Sequence, residues 1–288
     1  MTDSSHLHRE ILAHIDRLPS MPQTVAEVMR MGRSGDFSPT DLAEVVCRDP
    51  TLATRVLKLC NSGFYALSQP VASIHRAVLL LGFETVKNLV FSTFVHAVVQ
   101  GDVEGYAQSS ASLWEHSFGV ATASVVLAET AAPDLAEAAY TAGLIHDIGK
   151  VVLASFLTER FEEVVARVRA AGGAFDPVER QVLGTTHGEV GALVAERWHL
   201  APVLCEVIRH HHHPHRMAAA PKLGALVSLG DAVCDILGIG TGLDGADRTF
   251  DPWCLETLGL EGGAFQRVLD DVTDKLLDLK GSGTFEPL

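Results

Sequence analysis

Seven residues able to ligate a metal lie at five places from residue 116 of this chain onward: His116, the adjacent His146 and Asp147, His187, the adjacent His211 and His212, and Asp231. All sit among apolar residues at helical spacing. Taking a carboxylate or an imidazolium out of water costs several kcal/mol unless it is paired or bound to a cation, so the set argues for metal. Imidazole nitrogens and carboxylate oxygens suit divalent transition metals, and one Asp can bridge two ions while the histidines fill the remaining positions. The expected cofactor is two ions of iron, manganese, nickel or zinc. Ions roughly 3.5–4 Å apart polarise a phosphoryl oxygen, acidify a water between them and stabilise both attacking and leaving oxygens. A small phosphoester or nucleotide is the matching substrate. The expected catalytic pair is Asp147 as the bridge and Lys150, three residues on, as a point charge for phosphate. Arg209 and Arg216 are weaker candidates for that charge.

Helices must position these groups, because apolar residues recur at three- and four-residue spacing nearly throughout. The expected fold class is all-α, a helical N-terminal subdomain followed by a helical bundle. Ser112 with Glu115 reads as a capping box, starting a helix whose inner stripe is Leu113, His116, Val120 and Leu127. Asp134 with Glu137 repeats the signal. That helix is expected to run to Gly149 as a left-handed C-cap, placing His146 and Asp147 in its last turn. Thr186 with Glu189 puts His187 at a helix start, and Pro202 opens a helix whose apolar face ends at His211 and His212. Asp231 follows Val227 by four residues and Leu223 by eight, so it lies on the apolar face of a helix running toward Leu237.

In the first half, Asp49 and Pro50 read as N-cap and first helical position of a helix ended by Asn61, Ser62 and Gly63. A helix from Ile74 to Leu81 follows, Gly82 breaks it, and Val86, Leu89, Val90 and Phe94 mark the next. The polar stretch QGDVEGYAQSSAS is the expected boundary, dividing the chain into 10–105, 110–245 and 246–288. The last part carries Phe265, Val268, Leu269, Val272, Leu276 and Leu277 opposite Asp270, Asp271, Asp274 and Asp278. It reads as an amphipathic helix packing on its own domain.

A hydrophobic content of 47% is ample for large cores, and a net charge of −14 repels polyanions, so nucleic acid is not an expected partner. No unbroken apolar run of about 20 residues suggests a membrane span, and the first residues lack a signal-peptide pattern, so a cytoplasmic location is expected. Five widely spaced cysteines read as reduced core residues, with Cys205 and Cys234 packing near the site rather than binding metal. His6, His8 and His14 are expected at the surface. Gly238 to Gly245 reads as a loop, since it lacks the Lys and Ser or Thr of a phosphate loop.

WEHS around His116, GLIHDIGK around His146 and Asp147, and THGEVGALVAERWHL followed by VIRHHHHP resemble the HDOD branch of the HD superfamily. So do LPSMP, VVCRDPTLATRVLKLCNSGFY and SIHRAVLLLGFETVKNLVF in the first half. The resemblance covers most of residues 15–240. It implies an all-helical fold, a bacterial signalling context with a signalling protein as partner, and frequently a regulatory rather than a catalytic role. Carried over from HD phosphohydrolases, the ligand set is His116, His146, Asp147 and Asp231; the related HD-GYP phosphodiesterases add His187, His211 and His212. Two departures follow. His213, Pro214, His215, Arg216 and Met217 stand where a GYP loop would continue, against cyclic di-GMP cleavage, and Ser112 replaces the Glu of trinuclear members, favouring two ions.

The function expected from these residues is therefore an HDOD-type signalling protein with a dinuclear centre and candidate phosphohydrolase activity. The alternative is a non-catalytic interaction module with a relic site, in which Asp147 only caps a helix end and His211 and His212 form a solvated helix end. A helix-turn-helix about Gly82 is disfavoured, because Lys87, Asn88 and His96 are the obvious polar groups on an otherwise apolar second helix.

Overall fold

Side-chain N-caps account for several helix starts. Asp49 accepts from the backbone N–H groups of Thr51 and Leu52 and starts a helix at Pro50, and Ser73 accepts from Arg76 N ahead of Ile74. The structure, a computed structural model, describes residues 4–35, 37–62, 69–100, 103–170, 175–240, 242, 250–260 and 262–281. The fold is all-α: among the described residues there is no strand, only an isolated bridge between Val103 and Gln108.

The chain divides into two compact units, one made of Met1–Pro19 and Val98–Phe285, the other mainly of Ser20–Ala97. The second of these contains α2 (Gln23–Ser34), α3 (Pro39–Cys47), α4 (Pro50–Cys60), α5 (Ile74–Leu81) and most of α6 (Phe83–Val99); α1 (Ser4–Arg17) belongs to the other unit. Its core gathers Val28, Leu42, Val46, Val56 and Val78, all buried. Gly82, at φ 78° and ψ 166°, supplies a backbone conformation that a side chain would resist, and α5 and α6 meet there at 109°. Val86, Val90, Phe91 and Val95 of α6 are buried, so it is a core helix. The expected stop at Gly63 lies outside the described residues; Asn61 is the C-cap.

The larger unit continues with α7 (Ser110–Ala131), α8 (Ala136–Ile145), α9 (Gly149–Thr158), α10 (Phe161–Ala170), α11 (Asp176–Leu183), α12 (His187–Arg197), α13 (Pro202–His210), α14 (Pro221–Leu237), α15 (Pro252–Leu258) and α16 (Gly263–Gly281). Helix α7 is its centre and packs against α8, α14 and α16. Close approach explains Gly143, where a Cβ would stand 2.9 Å from Ala121 Cα. Val268, Val272 and Leu276 bury the inner face of α16, while Leu277 remains 58% exposed.

Several local expectations are corrected. The N-cap of α7 is Ser109, which accepts from Ser112 N, so the helix starts one turn before Ser112. Pro133–Leu135 forms a 3-10 turn and α8 starts at Ala136 without a side-chain cap, so Asp134 does not cap it. Gly149 is not a left-handed C-cap: α8 stops at Ile145, and Gly149 is the first residue of α9. It is a glycine because a Cβ there would stand 2.0 Å from the His187 carbonyl oxygen. In the polar stretch after Gln100, expected as a boundary, Val103, Tyr106 and Gln108 are buried. Cys47 is exposed, unlike the other four cysteines. His14 is half-buried, edge-on to Phe156.

The stretch Pro133–Thr158 is long and apolar enough to cross a membrane by composition, yet 78% of its apolar 18-residue window is buried, and it comprises two helices separated by a turn bearing His146 and Asp147. Its apolarity belongs to the core.

Candidate metal centre

Five elements bring the seven expected ligands together. Helix α7 presents His116, the turn after α8 presents His146 and Asp147, α12 opens with His187, the end of α13 carries His211 and His212, and α14 carries Asp231. Thr186 accepts from Glu189 N and starts α12 as expected, while Pro202 starts α13. The Asp147 carboxylate stands between two groups. Oδ2 lies 3.3 Å from His146 Nε2 and 3.7 Å from His116 Nε2, which is itself 3.0 Å from Asp231 Oδ1. Oδ1 lies 3.4 Å from His187 Nε2 and 3.8 Å from His211 Nε2. His187 Nε2 is in turn 3.2 Å from His211 Nε2 and 3.0 Å from His212 Nε2. His212 also links the groups, its Nδ1 3.8 Å from Asp231 Oδ2.

Backbone and carboxylate acceptors orient the rings. His116 Nδ1 faces Ile239 O, His146 Nδ1 faces Gly143 O, His211 Nδ1 faces Ile208 O and His187 Nδ1 faces a carboxylate oxygen of Glu179. Those oxygens can only accept, so Nδ1 of each ring carries a proton, and in the neutral ring that ligation requires the Nε2 lone pair is the one turned inward. Histidines that ligate metals are held in this way.

The donor set passes a physical test for a cation. His146 Nε2 and Asp147 Oδ1 are buried without a hydrogen-bond partner, and an unsatisfied buried group of this kind costs about 1–3 kcal/mol. With His187 and His211 neutral and protonated on Nδ1, their Nε2 lone pairs would repel one another at 3.2 Å unless a positive charge sat between them. Nitrogens at 2.0–2.1 Å from a shared ion would stand roughly 3 Å apart, matching the His187–His211 and His187–His212 separations. Metal ions therefore fit the residues present.

Electrostatics agree with crowded charges. Burial alone would raise the Asp147 pKa, but His146 and then Lys150 hold it well below the usual carboxylate range. Asp231 is lowered likewise, against burial, by His116 and His146. Burial disfavours the charged ring of His146, yet Asp147 and Asp231 outweigh it and raise its pKa to about 10. Burial and the neighbouring histidines, His212 foremost, push His211 well below its ordinary value.

Lys150 is buried in the first turn of α9, paired with Asp147 Oδ2 and lying 5.7 Å from the centre of the Tyr106 ring. It faces the Asp147 carboxylate rather than solvent. Arg209 pairs with Glu196, and Arg216 is exposed. Burial raises the thiol pKa of both Cys205 and Cys234.

Sequence reasoning missed Glu179 and Tyr106. Glu179 is fully buried on α11 and accepts from the His187 backbone N–H, from His187 Nδ1 and from the Tyr106 hydroxyl. A signal existed, since Glu179 precedes Val182 and Leu183 by three and four residues on the same apolar stripe. Tyr106, one aromatic in a polar stretch, offered none. Asp176 was also missed. It lies 3.2 Å from His213 Nε2, and although burial would raise its pKa, His213 and neighbouring histidines lower it to about 2.

The HDOD domain model matches residues 18–214. A crystal structure of an HDOD domain protein of unknown function from Geobacter sulfurreducens is similar over 98% of this chain and 97% of its own, with 25% identity and a TM-score of 0.78. A Shewanella amazonensis SB2B protein, described provisionally as a phosphohydrolase, is 26% identical, with a TM-score of 0.68 over 96% of this chain and 97% of its own. An uncharacterised protein of Treponema pallidum (strain Nichols) is 28% identical over 219 residues, which are 74% of this chain and 41% of the relative; the chain thus spans under half of that protein's length.

Proposed function

The chain belongs to the HDOD domain family, and from that premise we propose a signalling protein whose larger unit holds two divalent metal ions and hydrolyses a small phosphoester. The observation that carries this reading is Asp147, whose two oxygens face two separate ligand groups while Oδ1 and the neighbouring His146 Nε2 lie buried and unpartnered. His116, His146, Asp147 and Asp231 would hold one ion; Asp147, His187, His211 and His212 would hold the other. When bound, such ions supply Lewis acidity toward a phosphoryl oxygen and acidify a water. The similarity to a provisional phosphohydrolase points the same way.

The chain's own residues supply the rest. Glu179, Asp147 and Asp231 contribute three negative charges, and Lys150 offsets one through Asp147. Two divalent ions would exceed that balance, leaving a positive centre that attracts a phosphate anion. Most ligands are sealed from water; the openings are at His212, whose side chain is 33% exposed, and at Asp231, 9%. A substrate phosphate would approach by that edge, and the apolar walls around His146 and His187 would exclude bulk water from the far side.

That burial also favours a second reading, a non-catalytic signalling module in which the ions stabilise the bundle. Metal analysis of untagged protein, with Asp147→Ala beside it, tests the centre. Close to two equivalents in the wild type and their loss in the variant are expected; no metal, even after reconstitution, would refute it. Metal-dependent turnover in a phosphoester screen then separates the enzyme from the module.

A further inference from the structure

A buried carboxylate outside the ligand set needs its own account. Glu179 has no exposed surface, and both of its oxygens are engaged: Oε2 accepts from the His187 backbone N–H and from His187 Nδ1, each at 2.8 Å, and Oε1 accepts from the Tyr106 hydroxyl. The same oxygen therefore fixes both the first residue of α12 and the angle of its ring. Three other inward rings of the centre lean on neutral backbone carbonyls, at Ile239 for His116, Gly143 for His146 and Ile208 for His211. Among these, His187 alone has a charged acceptor.

A full negative charge on Nδ1–H makes the opposite nitrogen a stronger donor to a cation than a carbonyl does. That nitrogen is also the hub of its half: His187 Nε2 lies within 3.4 Å of His211 Nε2, His212 Nε2 and Asp147 Oδ1. We infer that Glu179 is a positioning residue for the histidine-rich half of the centre, setting the affinity of the ion held by His187, His211 and His212 and leaving the ion held by His116, His146 and Asp231 nearly untouched. Tyr106 steadies the far oxygen of the same carboxylate. This rests on the dinuclear reading above.

The test is a titration of the metal-free 288-residue chain with cobalt(II), followed by its visible spectrum and by calorimetry, for the wild type and for Glu179→Gln, Glu179→Asp and Tyr106→Phe. Glutamine keeps the size of the side chain and removes its charge. The expected result is two binding steps in the wild type. In Glu179→Gln one step should weaken by about 10–100-fold while the other keeps its affinity and spectrum. Glu179→Asp retains the charge on a shorter arm and should partly restore the weakened step. Tyr106→Phe leaves the bonds to His187 in place and should keep both steps. If Glu179→Gln does not fold, judged by its helical circular dichroism, a selective weakening of one step in Glu179→Asp carries the test. Equal affinities in wild type and Glu179 variants would overturn the inference, as would parallel loss of both steps, or a loss in Tyr106→Phe as large as in Glu179→Gln. Absence of cobalt binding by the wild type would instead overturn the dinuclear reading beneath it.

Discussion

Gly149→Ala should couple packing to ligand geometry in one measurement. A Cβ at this position would stand 2.0 Å from the His187 carbonyl oxygen, 2.7 Å from Gly191 N and 2.8 Å from the His187 carbonyl carbon. All three are backbone atoms, so no side chain can swing aside. Ordinary contact begins near 3.4 Å, so α9 and α12 must part by roughly 1 Å or more in an interior packed at crystal density. Helix propensity works the other way, favouring Ala over Gly by about 0.5–1 kcal/mol within a helix. Overpacking costs about 1–3 kcal/mol, more where backbone must move, and should win. With a melting shift of about 2–4 °C per kcal/mol for a unit of this size, a fall of several degrees is expected. The same displacement moves His187 against Asp147, and metal sites tolerate only about 0.2 Å. One ion should therefore bind at least about tenfold more weakly. Thermal melts of the metal-free protein and metal titrations check both effects. A Gly149→Ala protein with wild-type melting temperature and two tightly bound ions would refute the reasoning.

Further outcomes follow from the caps and the charges. Asp49→Ala removes the acceptor for Thr51 N and Leu52 N at the start of α4 and should cost about 1 kcal/mol by chemical denaturation. Unchanged stability would mean that water replaces the cap fully. In metal-free protein, His146 has its pKa raised from 6.5 to about 10, so its stabilising charge is fully present below pH 6.5 and lost as pH rises through about 10. Melting temperature should fall over that window without metal. With metal the trend should weaken or reverse, because ligation requires the neutral ring; identical profiles with and without chelator would contradict this.

Periodicity and caps made much of this protein legible before any coordinates. Helical spacing announced an all-α chain; Asp49, Thr186 and Pro202 announced helix starts; and the polar residues on apolar stripes announced the seven residues that now face one another. A buried charge is visible in sequence because it interrupts a stripe that solvent would not reach. By that rule Glu179 was legible too, three and four residues from Val182 and Leu183. Capping reads less well: Ser112 and Asp134 each match a cap pattern, yet Ser109 and a 3-10 turn begin the helices, since local side-chain bonds are worth only about 1 kcal/mol and tertiary packing overrides them.

What the sequence determined by itself was residue chemistry and the face of each helix on which it falls, because both depend on spacing within a few residues. Only the tertiary structure decided which oxygen of Asp147 meets which histidines, that Lys150 turns to Asp147 rather than to solvent, and that Gly149 serves close approach rather than a left-handed turn. Those facts depend on how α7, α9, α12, α13 and α14 pack. Distances between residues far apart in the chain are set by the close packing of whole helices, which no local pattern encodes.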